Sequence, residues 1–160
     1  MLCKIDNYFR ILYRLSGYIA AIFLILVATF ILTGIASRIF GFYIRGLAEY
    51  SGYCMAAASF LALAYTFGEK GHIRITLFLE KSNKTIRRYL ELWCLSIATF
   101  FSGFLSFYFL KMLMISFNFQ ERSEGADEIL IWIPQTSVAI GSTIFFISVF
   151  HQLILMIKKN

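Results

Sequence analysis

His72 and His151 are the two histidines of this chain and its best-suited ligands for a transition metal. Imidazoles on facing helices hold haem iron in membrane anchors of redox enzymes, and both histidines stand toward the same end of the apolar stretches described below. Arg45 and Glu49 are four residues apart, the spacing at which opposite charges meet on a helix. Glu49 is also an acid of the kind that a helix N-terminus favours through its dipole. It is the only remote candidate for the membrane-embedded acid that a small homodimeric exporter built from this chain would need. Cys3, Cys54 and Cys94 contain no Cys-x-x-Cys pair and form no disulfide framework, so they read as small apolar residues. The sequence has no nucleophile–base set, no cluster of metal ligands and no glycine-rich phosphate loop. These residue types point away from an enzyme.

What positions these side chains is a set of four stretches without a charged residue, at 15–37, 50–68, 92–110 and 129–157. A helix of roughly 20 apolar residues, rising 1.5 Å each, crosses a hydrocarbon core about 30 Å thick. The expected fold is therefore an all-α integral membrane protein. Residues 1–160 form a single four-span domain, with spans at about 15–38, 48–68, 85–111 and 132–157. What lies between them is too short for a soluble domain. A β-barrel would alternate over strands of about ten residues, whereas these stretches are continuous. The apolar core of a signal peptide is about 7–15 residues long, so the first stretch is read as a retained span. Ile75, Phe78, Leu79 and Ile86 recur at helical spacing. They predict a short amphipathic helix over 72–81, lying in the cytoplasmic interface. At the N-terminus, Ile5, Phe9, Leu12 and Tyr13 oppose Lys4, Arg10 and Arg14. That piece either extends the first span inward or lies along the anionic leaflet, with Gly17 as the bend.

The formal charge of +6 reads as topology rather than nucleic-acid binding. Lys4, Arg10, Arg14, Lys70, Arg74, Lys81, Lys84, Arg87, Arg88, Lys158 and Lys159 flank the spans on one face, while Arg38, Arg45, Lys111 and Arg122 flank them on the other. The excess of Lys and Arg marks the cytoplasmic side, which places both termini there. No span carries a central Asp, Glu, Lys or Arg, the groups that proton relays, ion-coupled sites and voltage sensors use. The chain alone is therefore a poor transporter. Helices in lipid associate where small residues let backbones approach. Gly52, Ala56 and Ser59 in span two, Ser96, Thr99, Gly103 and Ser106 in span three, and Ser137, Gly141 and Ser148 in span four mark such contacts, within the chain or with another.

The order of features then becomes specific. Arg38 closes span one and Glu49 opens span two, which leads to Gly71-His72-Ile73-Arg74-Ile75 and to Leu77 through Leu79. Trp132-Ile133-Pro134-Gln135 opens span four and continues to Gly141. Over about residues 10–157 the chain resembles the small membrane subunit of tripartite ATP-independent periplasmic (TRAP) transporters, the DctQ-type small permease. It departs from the usual pattern at Ile75-Thr76, where the family often has valine then aspartate, and at Val138-Ala139, where it often has a proline.

The resemblance implies a non-catalytic protein without cofactor in the bacterial inner membrane, among membrane lipids and without nucleic acid. Its partners would be a large TRAP membrane subunit, which moves organic acids by an elevator motion driven by sodium, and a periplasmic substrate-binding protein. The small subunit would scaffold the former and help dock the latter. Arg38, Arg45, Glu49, Arg122 and Glu124 would look toward the binding protein, with His72, Arg74, Arg87 and Arg88 at the cytoplasmic interface. The competing readings are a haem-ligating anchor using His72 and His151, and a homodimeric exporter using Glu49.

Overall fold

A computed structural model describes residues 2–70, 84–125 and 128–158. Four helices account for most of them: α1 (Leu2–Ile39), α2 (Leu47–Lys70), α3 (Lys84–Phe119) and α4 (Trp132–Lys158). The only β pairing among the described residues is an isolated bridge between Arg122 and Leu130. The helix expected over 72–81 lies outside them.

Three segments are long and apolar enough to cross a membrane: Phe9–Ile39 of α1, Arg88–Phe119 of α3 and Trp132–Ile157 of α4. α2 is not among them, although its 24 residues extend about 36 Å at 1.5 Å each. Composition makes the difference. α2 lies against both α1 and α4, and Ala57, Ala58, Leu61 and Ala64 are buried. Its many Ala, Gly and Ser residues contribute less hydropathy than the Leu, Ile and Phe of the other helices. Tyr50, Tyr53 and Tyr65 lower its hydropathy further.

The helices stand in a row, in the order α1, α2, α4, α3. The substantial contacts run α1 to α2, α2 to α4 and α4 to α3, with lighter contact between α1 and α4 and a ring contact between α2 and α3. α1 and α3 thus form the two flanks, and the row does not close into a ring. Their outer surfaces are apolar and open. α1 exposes Tyr18, Ile22, Ile25 and Leu32, and α3 exposes Trp93, Phe100, Phe104 and Phe107. In water such a surface would be a liability, whereas lipid tails solvate it as well as another Leu does.

The helix limits refine the sequence reading. α1 begins at Leu2, so the amphipathic lead-in is continuous with the span. Gly17 sits inside the helix rather than at a break. A Cβ there would fall 2.8 Å from Cγ of Tyr65, so the glycine admits the α2 ring instead of bending α1. α3 runs past Lys111 to Phe119, with Lys111 exposed on its side.

Candidate functional site

The surfaces that the described residues define are the helix seams and the loops between them. The tightest approach is at Gly141, on the α2–α4 seam. A Cβ there would lie 2.8 Å from Phe60 Cβ and 3.1 Å from the backbone nitrogen of Leu61. Gly103 plays the corresponding part between α3 and α4, where a Cβ would meet the Phe146 ring at 3.0 Å. One turn along, Ser106 Oγ lies 3.1 Å from Thr143 Oγ1. Thr143 gives its own proton to the Ala139 carbonyl at 2.7 Å, so Ser106 is the donor across the seam. Thr99 is half-buried and bonds back to the Leu95 carbonyl at 2.7 Å. Edge-to-face rings join Phe60 to Phe109 and Phe67 to Phe145, at centroid distances of 5.2 and 5.8 Å.

Other residues of the expected stripes face elsewhere. A Cβ on Gly52 would meet nothing within 4 Å; Ser59 and Ser96 are exposed, and Ala56 is half-buried. The buried stripe of α2 is instead Ala57, Leu61 and Ala64, spaced four and three, a helical signal carried by residues too ordinary to stand out beside Gly and Ser. Gly17 was the other residue whose packing role the sequence did not mark.

At the end of the row formed by the α1–α2 and α3–α4 connections, the structure gathers the residues expected to face outward. Gly41 and Gly46 adopt positive φ, +76° and +80°, a left-handed backbone that glycine takes without a Cβ penalty. The two glycines fold the short loop so that Phe40, Tyr43 and Arg45 project from it, all exposed. Arg38 is exposed at the last turn of α1 and Glu49 half-buried in the first turn of α2.

The α3–α4 connection is a folded loop. Ser123 N–H donates to the Ile129 carbonyl at 2.7 Å, and Ile131 N–H to the Glu121 carbonyl at 3.0 Å. Glu121 also accepts from Ser116 Oγ at 2.7 Å. Tyr53, one turn after Glu49, shares a hydrogen bond of 2.9 Å with Ser123. That bond ties α2 to the loop and brings Arg122 and Glu124, both exposed on either side of Ser123, to the same end as Glu49. Phe117 packs edge-to-face on Trp132 at 5.5 Å, where α3 ends and α4 begins.

The opposite end is less fully described. His72, Arg74 and the Arg87 side chain lie outside the described part, while Arg88 is exposed in the first two turns of α3. His151 is half-buried, with its ring 4.5 Å from the ring of Phe9. Among the described residues no three of His, Cys, Asp and Glu gather as a metal site. Nothing in this geometry favours a haem anchor.

Residues 26–159 match the family model described as tripartite ATP-independent periplasmic transporters, DctQ component. Comparison with curated proteins and with solved structures gave no match.

Proposed function

This chain belongs to the DctQ component family of tripartite ATP-independent periplasmic transporters, and from that premise we propose that it is the non-catalytic small subunit of a sodium-coupled, binding-protein-dependent importer of organic acids. It scaffolds the large membrane subunit and helps receive the periplasmic binding protein. The observation that carries this reading is the open row of helices. A layer whose flanking helices share no substantial contact among the described residues, with no charged group in its apolar stretches, suits a support for a transporting neighbour.

In this reading α2 crosses the bilayer with the other three helices. Its length covers the core. An even number of crossings also keeps the basic N-terminal segment and Lys158 and Lys159 on one side, which the positive-inside rule assigns to the cytoplasm. The loops holding Arg45, Glu49, Arg122 and Glu124 then face the periplasm, with Arg38 beside them.

The reading is tested by co-expressing the tagged chain with the large subunit and purifying it in mild detergent. The expected result is recovery of both in constant ratio; recovery of the tagged chain alone overturns it. Glu49→Lys probes the finer claim. Reversing a charge at a helix N-terminus costs the fold only about 1 kcal/mol, so the complex should still assemble. Binding-protein-dependent uptake should fall about tenfold, equivalent to roughly 1.4 kcal/mol of lost docking energy. Loss of the assembled complex would instead assign Glu49 to the start of α2.

A further inference from the structure

A cavity of about 370 Å³ opens beside the α1–α2 seam, walled by Arg14, Gly17, Tyr18 and Tyr65. We propose that it binds the phosphate group of an anionic phospholipid, in the leaflet that faces the N-terminal end of α1. The inference requires α1 to span the bilayer and does not depend on the transporter reading.

Depth is the first argument. Arg14 is the residue immediately before the charge-free stretch that begins at Leu15, and Arg38 the one immediately after its end at Ser37. The two arginines are 24 residues apart on one continuous helix, or about 36 Å at 1.5 Å per residue. That span lies between the hydrocarbon core of about 30 Å and the 40–45 Å that includes the headgroups. With Arg38 at one headgroup layer, Arg14 lies at the other, and so does the cavity it lines.

The second argument is chemistry. A planar guanidinium matches phosphate oxygens with paired N–H donors. Tyr18 and Tyr65 line the same walls, and tyrosines, which carry a hydroxyl on an apolar ring, favour this depth of a membrane. Gly17 lies in the cavity wall, and its missing side chain lets the Tyr65 ring lie against the α1 backbone. Arg10, one turn before Arg14 and exposed, adds positive charge next to the site. A net negative headgroup is therefore preferred over a zwitterionic one.

The third argument identifies a lipid rather than a free anion. From Tyr18 the exposed face of α1 continues through Ile22 and Ile25, spaced four and three, which are 58% and 66% exposed. This apolar track leads from the cavity toward the membrane centre. A dissolved phosphate would have to abandon water beside it, whereas a phospholipid brings its phosphate to this depth with acyl chains that cover the track.

The test uses the full-length chain, stripped of co-purified lipid by detergent exchange, with binding read by native mass spectrometry. Phosphatidylglycerol should bind about tenfold more tightly than phosphatidylcholine with the same acyl chains, as expected for a charge-assisted contact. Arg14→Gln should remove that preference. Tyr65→Phe, which keeps the ring on Gly17 and deletes only a hydroxyl, should weaken phosphatidylglycerol binding about threefold. Lys111→Gln, on the opposite flank, should leave it unchanged. Equal binding of the two lipids, or a preference that survives both Arg14→Gln and Tyr65→Phe, overturns the proposal. Displacement of the lipid by millimolar inorganic phosphate would also overturn it, by assigning the cavity to a soluble anion.

Discussion

Gly141→Leu is expected to force the α2–α4 seam apart locally and to lower the melting point of the protein by several degrees. The position where a Cβ would stand is 2.8 Å from Phe60 Cβ and 3.1 Å from two backbone atoms of α2, Leu61 N and Phe60 C. A side chain tip can rotate away from an intruder, but two helix backbones can separate only along their whole contact. Overpacking a well-packed site ordinarily costs about 1–3 kcal/mol, and a backbone obstacle puts this substitution at or above the upper end. A loss of about 3 kcal/mol corresponds to a melting point lower by roughly 6–12 °C for a chain of this size. Thermal unfolding of detergent-purified protein, followed by size-exclusion fluorescence, would show it.

The series around Gly141 makes the expectation specific. Gly103→Ala should cost less, because the obstacle is the edge of the Phe146 ring at 3.0 Å, which can swing. Gly52→Leu should unfold like the parent protein, since a Cβ there meets nothing within 4 Å. A parent-like melting point for Gly141→Leu would mean that α2 and α4 do not pack as described.

The same three glycines show how far the sequence could be read. Helix existence was legible because absence of charge over about 20 residues is a strong physical signal in a membrane protein, and the four helices stand where the charge-free stretches do. The order of the helices was not legible, because it depends on which side of each helix is buried. Small residues on α2 occur all round: Gly52 and Ser59 are open, while Ala57, Ala58 and Ala64 are buried. Gly52 and Ser59 mark a face that no described helix covers.

Hydropathy alone also separates α2 from its neighbours, and the small residues and tyrosines that lower it are visible in the sequence. At the loop end, the charges of Arg45, Glu49, Arg122 and Glu124 were evident in the sequence. The Tyr53–Ser123 hydrogen bond that brings two of the loops' elements together spans distant segments, and no local pattern announces it.

Reconstituted by itself into liposomes, the chain is expected to pass no organic acid above the background of empty vesicles, with or without a sodium gradient. A solute path needs either a lumen or a binding site exposed alternately to the two sides. In a row ordered α1, α2, α4, α3 the flanking helices share no substantial contact, so the four described helices do not form a ring around a lumen. The cavity bordered by Gly34, Arg38 and Leu47 and the one bordered by Arg14 and Tyr65 both lie along the α1–α2 pair, at opposite ends of it, with the apolar length of the helices between them.

Nor does the apolar interior carry the charge that ion coupling normally requires; the stretches 15–37, 50–68, 92–110 and 129–157 contain no Asp, Glu, Lys or Arg. Several hydroxyls that lie there are engaged with their own helices or with one another. Ser16 donates to the Tyr13 carbonyl, Ser142 to the Ala139 carbonyl and Ser106 to Thr143. Adding the large subunit and the binding protein to the same vesicles should restore gradient-driven uptake of labelled substrate. That contrast, silence alone and transport in company, separates a supporting subunit from a small exporter. Sodium-driven flux from vesicles holding only this chain would mean that the row of helices closes on itself, or pairs with a second copy, to make the path that a single open layer lacks.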